Sequence, residues 1–327
     1  MALTRTDFAA LTIDLQSIFS EAAANKVAMM EGKKIFDIKD DNRRTHLHRL
    51  IHGLAGIAEV AEDEAYPTVS SNQGDGITFT QRQFAAAVKV TKQIMKFDLY
   101  DEVRANVKTI TDDAFDKIDQ SFADVLLFGW STSYTDVYGG IVTSTGPDGE
   151  TLVNSAHSNN VTSTTYDNRI LDENDAADSV LDRPAIVAER ARAMTFVDPQ
   201  GIMRPIILDT IITGPTLEDL VERTLFSTQI SGSANNDTNA LRGKIKNVIT
   251  WPRIDLRSDA TDTSAYWFMG ESQNLKETFK AFFTQRPQLD PPEVVYLTKT
   301  NNYSIDYLYS WGFAYAPYIR GSRGTLA

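Results

Sequence analysis

The chain has 327 residues, 42% of them hydrophobic and none of them cysteine, with 32 Lys and Arg against 44 Asp and Glu for a net charge of −12. That length suffices for a sizeable core or for two lobes of ordinary domain size. The missing thiols exclude disulfides, thiolate metal sites and cysteine nucleophiles, and the acidic balance argues against a dedicated nucleic-acid reader, because it repels a phosphate backbone.

The N-terminus, MALTRTDFAALTIDLQSIF, lacks the basic lead and continuous apolar run of a signal peptide, and no later window has the length of a membrane span. The expectation is a soluble protein made in a cytoplasm. From residue 7 to about 24, Phe8, Leu11, Ile13, Leu15, Ile18 and Phe19 have the loose spacing of an amphipathic helix, or of an arm that orders on a neighbour. Residues 37–49 carry Lys39, Arg43, Arg44 and Arg49 among acids and read as exposed, and 50–60 are apolar and interrupted by glycine.

Residues 62–84, EDEAYPTVSSNQGDGITFTQRQF, read as a long hairpin with its tip at SSNQGDG. Gly74 and Gly76 offer the positive φ of a reversal, and Asn72 and Asp75 favour turns through side-chain to backbone hydrogen bonds. The second arm is expected to run on through Val88 and Val90. A lone hairpin buries little, so this one needs a partner surface. Next, Leu99, Val103, Val107, Ile110, Ala114, Ile118, Phe122 and Val125 recur at steps of three or four. The spacing predicts a helix over 99–128, about 45 Å long, with an Asp113–Lys117 pair on its surface and Gly129 as its stop.

Residues 130–178 turn to Ser, Thr, Asn, Gly and Asp and read as a loop-rich connector. Residues 178–194 are helical in pattern, with Pro184 near the start. A turn at 198–201, a buried strand at 205–212 and a helix opened by Gly214-Pro215 complete a compact α/β lobe. Strands are expected at 245–251, 265–269 and 293–297. The clearest period of all follows: Tyr303, Ile305, Tyr307, Tyr309, Trp311, Phe313 and Tyr315 occupy alternate positions, the pattern of a strand with one apolar face, ended by Pro317.

No constellation points to chemistry. His46, His48 and His52 lack the glutamate and third ligand of a helical zinc site. Ser155 and His157 come without an oxyanion device or a nucleophile elbow. Asp112, Asp113, Asp116 and Asp119 read as the solvated side of the long helix, and Asp172, Glu173 and Asp175 lack EF-hand spacing. No phosphate-binding glycine motif occurs. The aromatic strand has no basic residues between its rings, so packing is favoured over base stacking. The expectation is therefore no catalytic residue, no cofactor and no metal.

The order of elements, together with DGETLVNSAHSNN at 148–160, PIILDTIITGPTLEDLVERTLFS at 205–227, and AYWFM followed by RGSRG, resembles the major capsid proteins of tailed double-stranded DNA phages. These share the Hong Kong 97 phage fold, and the similarity is greatest to the Mu-type major head subunits. The resemblance implies an α+β Hong Kong 97-like capsid fold. Its parts would be an N-terminal arm with its lead-in (1–60), an E-loop hairpin (61–92), a peripheral domain with spine helix and connector (93–180), an axial α/β domain (181–250), and return strands completing both domains (251–327).

It also implies a structural, non-enzymatic subunit that self-assembles as pentamers and hexamers into the icosahedral head. Such a shell encloses double-stranded DNA without reading its sequence, works with a portal and a separate scaffolding or maturation protein, optionally carries a decoration protein, and touches no membrane. It would be built in the bacterial host cytoplasm and reside in the virion. Subunit contacts are expected from the E-loop tip, Tyr66, Asn72, Gln73, Gly74, Asp75, Gly76 and Phe79, and from the arm, Phe8, Leu11 and Leu15. Relatives that weld their shells by isopeptide bonds carry an E-loop lysine. Residues 62–80 hold none, so the expected shell is not cross-linked in this way. The alternatives are an encapsulin-like or gene-transfer-particle shell and, from another class, an acidic α/β hydrolase or metal enzyme.

Overall fold

The elements of the computed structural model run α1 (Arg5–Met29), β1 (Asp37–Asp40), β2 (Thr45–Ile51), β3 (Gln73–Thr80), β4 (Arg82–Thr91), α2 (Tyr100–Leu127), β5 (Ser133–Thr135), β6 (Ile141–Thr143), β7 (His157–Ser158) and β8 (Thr165–Tyr166). They continue with α3 (Arg183–Met194), β9 (Thr210–Thr213), α4 (Glu218–Leu225), β10 (Asn247–Thr250), β11 (Trp267–Gly270), α5 (Leu275–Thr278), β12 (Phe279–Leu289), β13 (Glu293–Val295), β14 (Thr300–Phe313) and β15 (Ile319–Ser322). The structure describes residues 5–51, 59–60, 65–66, 73–91, 94, 100–158, 165–171, 178–198, 202–230, 237–295 and 300–324.

The aromatic strand β14 is the axis of the larger sheet. Antiparallel β4 pairs with it on one side, antiparallel β12 and β13 pair along the other, and β1 lies parallel to β12 at the edge. Its alternation does what the sequence predicts: Tyr303, Ile305, Tyr307, Tyr309, Trp311 and Phe313 are all buried. The strand stops at Phe313, so Tyr315 lies beyond it and meets the Tyr318 ring edge-on at 5.2 Å.

Helix α2 covers that face and matches the predicted span to within one residue at each end, with Lys117 Nζ 2.9 Å from Asp113 Oδ2. From Ile118 to Phe128 every residue is buried, so the second half of the helix runs through the interior and is amphipathic only in its first half. Phe122 stacks on Phe36 at 4.3 Å, and Phe283 stacks on Tyr309 at 5.1 Å. Each such ring buries about 150–250 Å², so the layer removes a large apolar area from water.

The second lobe is built on a four-stranded sheet in the order β10-β9-β11-β15, with β9 and β10 parallel and the other pairs antiparallel. Helix α3 begins where Asp182 caps it, its carboxylate accepting from the Ala185 amide at 2.8 Å, with Pro184 in the first turn. Residues 205–209 precede the strand expected there, which pairs only from Thr210. Leu181, Ile186, Leu208, Ile211, Val221 and Trp267 form the core of this lobe. The connector carries only short ribbons, β5 with β6 and β7 with β8.

Two expectations for the N-terminal third need correction. The strand that pairs with β3 is β2, which lies before the span 62–84 where the whole hairpin is expected. β2 pairs with β3 in the register His46–Phe79 and Ile51–Gln73, so Gln73, Gly74, Asp75 and Gly76 lie on a strand rather than in a turn. Gly76 has no positive φ, and β4 belongs to the larger sheet. In the arm, Leu11 and Leu15 are buried against Val90, Val103, Val107 and Tyr303 of their own chain, not held out for a neighbour. The apolar stripe of α1 finds its complement on α2, and the pairs Arg104–Asp14 (2.7 Å) and Lys26–Asp116 (2.8 Å) flank it.

Candidate assembly surfaces

The β2–β3 ribbon is a two-stranded sheet of its own. Phe79 anchors its base: the ring is buried, packs on Phe282 at 5.4 Å, and a Cβ on Gly312 would stand 2.9 Å from it, so the close approach depends on that glycine. Phe79 is therefore a root of the ribbon and not part of its tip. On the exposed side lies Leu47, half uncovered, beside Thr78 and Gly76. Tyr66 is 86% exposed. Asn72 and the side chains of Gln73, Gly74, Asp75 and Phe8 lie outside the described residues.

The second lobe also presents apolar surface. Met194 ends α3, Val197 bridges to Met203, and the Ile206 amide donates to Ala193 O, which draws these segments together. Met194, Val197, Ile202, Met203 and Ile207 are all more than a third exposed, and Met203 reaches 64%. A turn at 198–201 and a buried strand at 205–212, as expected from the sequence, do not announce this patch; its signal is the adjacent apolar pair Ile202 and Met203 directly after Pro-Gln-Gly in the sequence.

The acidic row on α2 is solvated only in part: Asp113 is exposed and Asp112 and Asp116 are half-buried, whereas Asp119 is buried. Asp119 is buried and accepts from the Gly32 amide (3.1 Å) and from Trp251 Nε1 (2.9 Å), and burial raises its pKa against those two hydrogen bonds. Asp116 pairs with Arg253 at 2.8 Å as well as with Lys26. One turn further on, Asp124 accepts from Gln120 Nε2 (3.0 Å) and the Ser258 amide (3.3 Å), and burial pushes its carboxyl up to about 6. The guanidinium of Arg257 sits 4.3 Å over the Phe128 ring. Segment 251–258 thus lies along α2 as a strap, joined to it at Asp116, Asp119 and Asp124 and to Phe128 just past its end.

The polar clusters considered for catalysis come apart. β2 is a strand, so His46 and His48 share a strand face, not a helical one, and His52 lies outside the described residues. His46 Nδ1 is 2.5 Å from Asp41 Oδ2, and its ring stacks on Phe282 at 4.0 Å. Burial lowers the pKa of His48. His157 is buried with both ring nitrogens engaged, to Asp148 Oδ2 (2.7 Å) and to Leu152 O (3.3 Å), while Ser155 faces solvent. Among the described residues no group of three or more His, Asp or Glu could hold a metal, and no helix is long and apolar enough to cross a membrane. Asp172, Glu173 and Asp175 lie outside the described residues. The rings of β14 are buried in the core and offer no stacking platform for bases.

Comparison with curated protein sequences gives no match. Solved structures with the same fold include the capsid of an empty GTA particle computed with C5 symmetry, at a TM-score of 0.51 and 8% identity, covering 91% of this chain and 90% of that one. Microbacterium phage Oxtober96 aligns at a TM-score of 0.50 and 11% identity over 90% of each chain. The capsid of Myoviridae phage XM1 aligns at a TM-score of 0.50 and 10% identity over 88% of this chain and 90% of its own. At such identities the likeness is one of fold. Family membership rests on the sequence itself: residues 75–323 match the model described as phage capsid protein, so the chain belongs to the phage capsid protein family.

Proposed function

We propose that copies of this capsid protein pack as pentamers and hexamers into an icosahedral head around double-stranded DNA, in a shell held by non-covalent contacts. The observation that supports this reading best is the β2–β3 ribbon: its described strands pair only with each other, so most of its surface is left to be covered by another molecule. In this reading residues 45–80 are the E-loop, α2 is the spine helix, the larger sheet forms the peripheral domain, and the sheet of β9, β10, β11 and β15 forms the axial domain. The apolar patch around Met203 would then lie where axial domains meet. The net charge of −12 suits a container that does not grip its DNA. A portal and a separate scaffolding or maturation protein are the partners of this reading, with assembly in the bacterial host cytoplasm.

Negative-stain microscopy of the purified protein tests it: closed icosahedral or tubular particles are expected, and a uniform small oligomer overturns it. Denaturing electrophoresis of the particles tests the non-covalent part, since residues 62–80 contain no lysine. A single monomer band is expected, and a ladder of covalent oligomers overturns that part alone. A gene-transfer particle or encapsulin-like compartment would differ in what it carries, which nucleic-acid content after nuclease treatment reports.

A further inference from the structure

Strand β4 is an outer edge of the larger sheet. It pairs with β14 from Arg82 to Thr91 without a register shift, and among the described residues no strand lies on its far side. A sheet edge presents a row of unpaired backbone N–H and C=O groups, which proteins guard with charge, proline, bulges or brevity. The edge strand β1 is guarded: it has 4 residues, and Asp37, Lys39 and Asp40 are charged. β4 has 10 residues and none of these devices in its middle. Gln83, Ala85, Ala86, Ala87 and Lys89 are exposed, and the alanines leave the backbone open to close approach. A long, regular edge of this kind is a template for another strand.

We propose that β4 is covered by β4 of a second copy, the two strands pairing antiparallel about a two-fold axis through Ala86 and joining two subunits in one continuous sheet. This deepens the proposed shell and rests on it for the assembly in which the copies meet. The strand is self-complementary in the way a two-fold contact demands. Phe84, Val88 and Val90 face the core under α2. An axis normal to the sheet keeps α2 on the same side of both copies, so even-numbered residues must meet even and odd must meet odd. Centred on Ala86, that register sets Ala85 against Ala87, Phe84 against Val88 and Gln83 against Lys89 of the second copy. Small meets small, and aromatic meets β-branched, a favoured cross-strand pair.

Two further features fit this occupant. On the inner face a cleft of about 380 Å³ opens at the edge, between Phe84 and Ala86 of β4 and Ile110 and Ala114 of α2, and Val88 of the second copy would enter it opposite Phe84. On the outer face Asp306 stands in register with Ala85, and burial together with the charge of neighbouring Asp290 raises its pKa. The two acids accept from Gln285 Nε2 (2.6 Å) and Ser304 Oγ (3.1 Å), and among the described residues neither they nor Lys89 have an ion-pair partner. In this register Lys89 of the second copy lies diagonally across the small Ala85 from Asp306, and its flexible four-carbon stem carries the ammonium toward the acids. The axis makes that contact twice.

The chain has no cysteine, so introduced thiols report the register. Ala86→Cys places a thiol on the axis, opposite its own copy at about 5 Å between Cα atoms, within disulfide reach. Ala85→Cys leaves its two copies on a diagonal of about 8 Å, beyond that reach. Mild oxidation of the purified protein and non-reducing denaturing electrophoresis should give a covalent dimer from A86C and none from A85C. A dimer should return when Ala85→Cys and Ala87→Cys are combined. A86C that stays monomeric, or A85C that dimerises as readily, overturns the self-pairing. The cross-link is read on whatever oligomer the protein forms. Closed particles without an A86C dimer therefore place another segment on this edge and leave the shell standing, whereas an A86C dimer without particles supports the strand pairing and counts against the shell.

Discussion

Nδ1 of His157 lies 2.7 Å from Oδ2 of Asp148, and the two close the connector on itself. The imidazole stacks on Tyr166 at 4.9 Å, its Nε2 is 3.3 Å from Leu152 O, and Asp148 Oδ1 also accepts from the Glu150 amide at 3.2 Å. The Asp-Gly-to-His stretch in the sequence is thus a structural clasp, with Gly149 in the left-handed conformation that its turn requires. His157→Ala leaves a cavity and an uncompensated carboxylate, and should cost about 2–4 kcal/mol. Asp148→Asn, which keeps the shape, should cost about 1 kcal/mol. Denaturant titration reads both, and an unchanged midpoint for H157A would show that the pair is not structural.

The hydroxyl of Tyr309 is buried between Ser121 Oγ (2.8 Å) on α2 and the Tyr138 hydroxyl (2.9 Å), which in turn reaches Tyr307 at 3.2 Å. Burial, opposed by the hydrogen bonds with Ser121 and Tyr138, raises the Tyr309 phenol well above its usual value, so it stays neutral across the physiological range. Because Ser121 Oγ donates to Ile118 O at 2.8 Å, it accepts from Tyr309. Tyr309→Phe keeps the ring stack and removes that donor, at a cost of about 1 kcal/mol. Ser121→Ala should then cost less in the Tyr309→Phe background than alone, because the bond the two share is already gone. Equal costs of Ser121→Ala in both backgrounds would contradict this network.

How much of this was legible depends on range. Period-two aromatics wrote β14 into the sequence, and three- and four-residue steps wrote α2, because those patterns are local. The carboxylates of Asp119 and Asp124 were not legible. Their type says surface, and the partners that bury them, Trp251 and Ser258, stand more than 130 positions away. The ribbon was read one strand out of register for a related reason. Gly74-Asp75-Gly76 has turn chemistry, but pairing with Thr45–Ile51 keeps it extended. Leu11 and Leu15 were recognised as a contact stripe, yet nothing in sequence says whether the matching surface belongs to the same chain.

Arg320 on β15 and Glu189 on α3 make a buried ion pair at 3.0 Å, and Arg192 donates to the other carboxylate oxygen at 2.6 Å. Burial opposes both charges, raising Glu189 and lowering Arg320. Removing one partner, as in Glu189→Ala or Arg320→Ala, leaves an uncompensated buried charge and should cost about 3–5 kcal/mol. Glu189→Leu with Arg320→Met, matched in volume and apolar, should lose far less than the two single truncations combined. A double-mutant cycle by thermal unfolding checks the coupling, and additive losses would show that the pair contributes nothing as a pair.

Gly214 and Asp255 set the entry to α4, and their relation predicts a reversal that neither single variant shows. Asp255 reaches across from the strap to accept from the Thr216 amide (3.1 Å) and hydroxyl (2.8 Å), capping the turn that opens the helix. A Cβ at Gly214 would stand 1.5 Å from Asp255 Oδ1, although φ −80° and ψ 170° suit any residue there. The glycine is needed for room, not for conformation. Gly214→Ala should therefore expel the carboxylate and cost about 2 kcal/mol, while Asp255→Ala should cost about 1 kcal/mol for the lost cap. With the carboxylate gone, the same alanine meets no obstacle and narrows the unfolded ensemble, so G214A in a D255A background should be neutral or stabilise by about 0.5 kcal/mol. Thermal unfolding of the four proteins decides it: a second alanine that costs the full 2 kcal/mol in both backgrounds would place the constraint in the backbone instead.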